Sequence, residues 1–222
     1  MRTFLQKLLF PQRNVCHICA RGLMDPGLLC PKCEERLLKC LLPSSVQVSH
    51  AFRPLDSCLS PLSYKGYARL LVHALKYESD TAAAAWLGER MAVAVRSRPS
   101  FMRADCIIPV PLHPDREIQR GYNQSQLLAQ TLSVGTGLPL RDQALIRVQD
   151  TGTQVNRTRA ERLHAMRGAF AVPQPAQIQR KRVLLVDDVL TTGATAIACA
   201  EALLWAGASS VMLVTACLTQ RD

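Results

Sequence analysis

Three features of the 222-residue sequence predict an α/β fold, a parallel sheet flanked by helices, with a small N-terminal four-cysteine zinc module. Beyond residue 60, compact aliphatic runs alternate with stretches of helical spacing. A C-x2-C…C-x2-C pattern falls within the first 33 residues. An aliphatic run ends in two aspartates and leads into a threonine-rich, glycine-containing turn and a further helical stretch. These changes of texture divide the chain into a zinc-binding knuckle module (1–45), a linker (46–60) and a main domain (61–222).

Composition sets limits. Hydrophobic residues make up 48% and charged residues 20%, which excludes wholesale disorder and fibrous repeats. No run approaches the roughly 18 apolar residues a membrane helix needs, and Lys7 interrupts an apolar start too short for a signal peptide. A soluble, intracellular protein without membrane insertion is expected. The net charge of +10 is uneven. Arg147–Arg182 holds eight basic residues against two acidic ones, whereas Val183–Asp222 holds one basic residue against four acidic ones. This suits a site where a polyanion meets a cation, although a solvated arginine-rich loop gives the same pattern.

Taken in order, Cys16 and Cys19, then Cys30 and Cys33, can each place two thiolates on one knuckle, four soft ligands in all for a tetrahedral Zn2+. Two disulfides would use the same residues, but they need an oxidising compartment. Cys40, Cys58, Cys106, Cys199 and Cys217 lie in apolar runs and are expected as core thiols. Glu34–Leu42 predicts a short helix stopping before Pro43, and Pro43–Asp56 a linker. Tyr67–Tyr77, Ala82–Val95, Gln124–Leu132 and Gly193–Trp205 carry helical spacing. Cys106–Val110, Arg182–Val186 and Ser210–Leu218 are the strand candidates. Gly135, Gly137 and Pro139 are expected to mark a turn, and Trp86 and Trp205 to pack in a core or interface.

The densest chemistry is Val183–Thr195. Four aliphatics suit a buried parallel strand, with Asp187 and Asp188 at its C-terminal edge, where open α/β sheets bind ligands. Thr191, Thr192, Gly193, Ala194 and Thr195 then offer backbone N–H groups, hydroxyls and the positive end of a helix dipole, which together suit a phosphate monoester. The carboxylates suit the vicinal hydroxyls of a ribose, or a metal held through water. A magnesium-binding strand of a nucleotide hydrolase would require a Gly-x-x-x-x-Gly-Lys-Ser/Thr loop, which the sequence lacks. An acidic pair followed by an ordinary threonine cap is the remaining alternative.

Val183–Thr195 resembles the PRPP-binding loop of type I phosphoribosyltransferases, and nearly the whole chain resembles their ComF/GntX branch. The resemblance also rests on His73–Tyr77, on Pro109–Pro114 with Arg116 and Arg120–Gln124, and on Arg147, Thr151, Gln154, Arg159 and Arg162 leading to Gly168–Phe170. Arg157 stands where the family carries an aliphatic residue, and Ala165 where it carries asparagine. The resemblance implies a type I phosphoribosyltransferase-like fold, PRPP binding with Mg2+, a structural Zn2+, and a role in handling incoming single-stranded DNA, with DNA or a competence-machinery protein as partner. On this reading Asp187 and Asp188 engage the ribose hydroxyls and any chemistry, while Thr191–Thr195 holds the 5′-phosphate. Backbone N–H groups of Val110 and Leu112, with Arg120, Arg147, Arg159 and Arg162, face the pyrophosphate, and the polar loop from Asp150 to Arg162 can close as a lid. Binding without transfer and transfer to an acceptor both remain open.

Overall fold

The structure is a computed structural model that describes residues 15–23, 27–42, 52–77, 81–149 and 168–219. In chain order the elements are α1 (Pro31–Leu38), β1 (Ser57–Leu59), β2 (Leu62–Ser63), α2 (Gly66–Tyr77), α3 (Thr81–Arg96) and α4 (Pro99–Met102). Then come β3 (Cys106–Pro109), α5 (Pro114–Arg120), α6 (Gln124–Thr136), β4 (Ile146–Arg147), β5 (Phe170–Ala171), β6 (Arg182–Leu190), α7 (Ala194–Trp205) and β7 (Ser210–Leu218).

The aliphatic runs form the middle of a parallel sheet of order β1–β7–β6–β3, with β2 continuing the line of β1 along β7. Strands buried on both faces need continuous apolar sequence, and β6 and β7 supply it. Successive side chains alternate between faces. Leu184, Val186 and Val214 pack with Leu71, Leu75, Leu87, Leu128 and Leu132 from α2, α3 and α6. Val183, Leu185, Val211 and Leu213 pack with Ile197, Cys199 and Leu203 from α7. Pro61 has no N–H to donate and separates β1 from β2, while Ser60 Oγ donates to Thr215 Oγ1 at 2.6 Å across the break. β4 and β5 form a separate antiparallel pair.

Four expectations need correction. Helix α1 begins at Pro31, not Glu34, because Cys30 takes the N-cap position and proline is well suited to the first helical residue. The segment read as a linker from 46 to 60 ends in strand β1. Gly135 lies inside α6 rather than in a turn; the helix ends at Gly137, whose φ of 75° is the left-handed cap. Trp205 is 93% exposed at the end of α7, whereas Trp86 packs against the core.

The cysteine module is joined to the domain. Leu37 and Cys40 belong to the main core, and Ser63 N–H donates to Cys40 O at 2.9 Å. Cys40, Cys58, Cys106, Cys199 and Cys217 are all buried, as expected of core thiols.

Helices α3 and α6 cross closely because glycines face the contact. A Cβ on Gly88 would sit 2.6 Å from Thr131 Cβ, and one on Gly135 would sit 2.7 Å from Ala92 Cβ. Gly88→Ala should therefore lower stability, by up to about 2 kcal/mol, since overpacking of about 1–3 kcal/mol is offset by a helix-propensity gain of about 1 kcal/mol. Urea unfolding of the two proteins checks this; an equal or higher midpoint for the variant contradicts the close crossing.

Candidate functional site

On its β3 side β6 is paired only as far as Val186, opposite Pro109. Towards β7 it runs on through Asp187, opposite Thr215, to Leu190, opposite Leu218. The two acids therefore sit within the strand, beyond the end of its shorter neighbour, and not after it. Being adjacent on a strand, their side chains point to opposite faces. Asp187 Oδ1 accepts from Ser125 Oγ at 2.9 Å and from the Asp188 N–H at 2.8 Å. Asp188 is buried, and its Oδ2 lies 3.1 Å from Lys76 Nζ.

Three distant stretches bring these partners in. Lys76 is the penultimate residue of α2. Its neighbours are tied down, since the Tyr122 hydroxyl donates to Leu75 O and the Arg120 guanidinium stacks on the Tyr77 ring 5.3 Å from its centroid. Asn123 caps α6 by accepting from the Ser125 N–H at 3.0 Å, and its Nδ2 donates to Val110 O at 3.0 Å. That double attachment fixes Ser125 against Asp187.

The turn after β6 completes a cradle. Asp187, Thr191, Thr192, Gly193, Ala194 and Thr195 line one pocket with Thr215. Gly193 adopts φ 80° as the N-cap of α7, and a Cβ there would meet the Phe52 ring at 2.3 Å, so only glycine fits. The pocket thus has a carboxylate at one side and an open helix N-terminus with threonine hydroxyls at the other.

The residues expected near a pyrophosphate are placed unevenly. The Val110 N–H is committed to Val186 O at 2.8 Å, so Val110 cannot donate to a ligand. Leu112, partly exposed, lies past the sheet. Arg120 donates to Gln124 Oε1 at 3.2 Å beside the Lys76 end of α2. Arg147 lies on β4, its guanidinium 5.7 Å from the Phe170 ring centroid. Arg159, Arg162 and the lid segment 150–162 lie outside the described residues. Reading the sequence missed Ser125 and Phe52, because a serine in a helical stretch and a phenylalanine in a presumed linker carry no spacing signal.

Burial, then the neighbouring Asp188 charge, push the Asp187 carboxyl from 3.8 up to about 7, against hydrogen bonds from Asp188 N–H and Ser125 and the charge of Lys76. Burial opposes ionisation of Lys76, but Asp188 and Asp187 outweigh it and hold the ammonium charged. A near-octahedral magnesium ion does not fit between the two acids. They face opposite ways, one oxygen of Asp187 is already taken, and Lys76 stands against Asp188.

The cysteine cluster does fit a metal. Sulfurs of Cys16, Cys19, Cys30 and Cys33 all lie within 4.8 Å of one another, with Cys19 and Cys30 3.8 Å apart. A Zn–S bond of about 2.3 Å gives a tetrahedral edge of about 3.8 Å. Burial resists ionisation of Cys16, yet backbone hydrogen bonds from Cys30, Cys19 and Ile18 lower it to about 6. Burial and the surrounding thiols push Cys33 up. A structural divalent cation would resolve that conflict.

The model of the phosphoribosyl transferase domain matches residues 119–222. The chain is 32% identical over 209 residues to DNA utilization protein YhgH of Salmonella typhimurium, covering 93% of this chain and 91% of the relative. It is 40% identical over 92 residues to competence protein F of Haemophilus influenzae, 41% of this chain and 40% of that one. Competence protein ComFC of Bacillus subtilis is 27% identical over 94% of this chain and 85% of its own. The chain belongs to the ComF family. Among solved structures, the glutamine PRPP amidotransferase of B. subtilis is similar at 24% identity and a TM-score of 0.41, over 60% of this chain and 26% of that one. Within this ComF-type chain the matched domain includes Ser125, both aspartates and the threonine turn, while Lys76 and the four cysteines lie outside it. Among the described residues no helix is long and apolar enough to cross a membrane.

Folding favours the neutral form of Asp187, because its pKa in the folded chain lies above its unfolded value. The stability gained is full below about pH 4 and is lost as pH rises through about 7. Asp187→Asn should flatten this part of the stability profile. Denaturant unfolding at several pH values checks it, and parallel profiles for the two proteins would contradict the assignment.

Proposed function

We propose that this ComF-type protein binds PRPP in the cytoplasm and serves the handling of incoming single-stranded DNA. One observation carries the reading: Asp187 shares a pocket with the Thr191–Thr195 turn. A pentose 5-phosphate matches that pair of groups, with its phosphate on the helix N-terminus and its 2′- and 3′-hydroxyls towards Asp187. Asp187 accepts from a ribose hydroxyl through the oxygen that Ser125 leaves unused. Thr191, Thr192 and Thr195 and the N–H groups around Gly193 hold the phosphate. Arg120, Arg147, Arg159 and Arg162, with the Leu112 N–H, neutralise the pyrophosphate, guanidinium being suited to paired phosphate oxygens. Magnesium is then the ligand's own counter-ion, held by pyrophosphate oxygens and water.

The unpaired cysteine thiols agree with a reducing compartment, and the cysteine cluster holds a structural zinc ion. DNA enters through the net positive charge and the arginine-rich 147–182 segment, which suit phosphate contacts; such binding weakens steeply with salt. The names of the relatives, DNA utilization and competence proteins, point the same way. A second reading is transfer of phosphoribose to an acceptor. It is favoured by the Asp187 carboxylate next to the ribose, which would stabilise positive charge developing as pyrophosphate leaves. Acceptor-dependent pyrophosphate release separates the two readings.

Asp187→Asn should weaken PRPP binding by about tenfold or more, on the scale of losing one charged hydrogen bond, with the fold retained. Calorimetry beside circular dichroism measures this, and wild-type affinity in the variant removes the reading. Metal analysis of protein purified without chelator should give about one zinc per chain. A folded, metal-free chain with freely alkylated Cys16 and Cys30 contradicts the zinc site.

A further inference from the structure

Two adjacent carboxylates at the buried end of a central strand need a counter-charge, because each raises the cost of ionising the other. In metal-assisted sugar-phosphate sites a divalent cation can supply it. Here the geometry leaves no such cage, and the position over Asp188 is filled by the Lys76 ammonium at 3.1 Å. Lys76 is not an incidental surface cation. Only 23% of its side chain is exposed, it stands at the end of α2, and the residues on either side of it are pinned to the α5–α6 connection by Tyr122 and Arg120. That connection ends in Asn123, the N-cap of α6, which fixes Ser125 against Asp187. One connection therefore positions the lysine against one acid and the serine against the other.

From this we infer that Lys76 is the resident cation of the sugar-phosphate site, a positioning residue that balances the charge of Asp188 and holds it in place, so that a pentose 5-phosphate binds without a divalent metal. The inference rests on the proposed ligand and goes beyond it, since PRPP recognition by itself does not say which cation balances the acids. Magnesium remains able to pair with a pyrophosphate but is dispensable for the ribose and its 5′-phosphate. Ribose 5-phosphate, which has no pyrophosphate to chelate a metal, is the discriminating probe.

The test uses the zinc-loaded full chain in chelator-free buffer, with ribose 5-phosphate and PRPP titrated calorimetrically with and without millimolar magnesium. Wild type is expected to bind ribose 5-phosphate with the same affinity in both buffers. Lys76→Gln is expected to lose about tenfold or more in magnesium-free buffer, the scale of one charged hydrogen bond, and to recover part of it with magnesium; Lys76→Arg retains magnesium-independent binding. A merely structural lysine would lower affinity equally in both buffers, and that result overturns the inference. Wild-type binding of ribose 5-phosphate only with magnesium overturns it as well, and stands even if Lys76→Gln fails to fold. PRPP binding that requires magnesium throughout, with no ribose 5-phosphate binding, overturns the resident-cation role and leaves the ligand reading intact. Absence of all binding by wild type overturns both.

Discussion

The structure depends on balancing charge at the end of β6. Two acids stand side by side where the central strand outruns its neighbour β3, one half-shielded and one buried. Burying either without a partner would cost several kcal/mol. Each acid has its own answer, on its own face of the sheet. Asp187 is held by a serine hydroxyl and a backbone N–H, and Asp188 by an ammonium. Neither side-chain partner is local: Ser125 and Lys76 lie 62 and 112 residues away in the chain from the acids they serve. The end of α2 delivers Lys76 to Asp188, and the N-terminus of α6, beyond the end of β3, delivers Ser125 to Asp187.

Packing and site are therefore the same problem. The glycines that let α3 and α6 approach closely also set where the N-terminus of α6 ends up, and with it Asn123 and Ser125. On the other face the Phe52 ring lies against Gly193 and fixes the backbone that cups the phosphate position. Phe52 precedes β1, so the segment that leads in from the cysteine module supports the phosphate turn directly. The module itself shares Leu37 and Cys40 with the main core, which makes the metal cluster part of the same folding unit.

Much of this was legible in the sequence because strong periodicity leaves few alternatives. The runs at 182–186 and 210–218 became the paired central strands, the first extended to Leu190, and the four helical stretches became helices with ends shifted by a few residues. The cysteine spacing and the Asp-Asp-x-x-Thr-Thr-Gly run each carry chemistry that depends on nearness in the chain. What was not legible depends on tertiary contact. Ser125 has no pattern of its own. No local pattern ties Lys76 to Asp188. Val110 appeared free to donate because its sheet partner, Val186, lies far along the chain. Gly135 looked like a turn residue because local preference says nothing about a neighbouring helix, and Trp205 follows a helical period while lying on the outer side of α7.

The most direct test of the account is a crystal structure of the zinc-loaded chain grown with saturating PRPP. The expected density puts the 5′-phosphate against the backbone of Thr191–Thr195 and the ribose hydroxyls within hydrogen-bonding distance of Asp187. PRPP ordered elsewhere on the protein, with the threonine turn filled only by solvent, would contradict it.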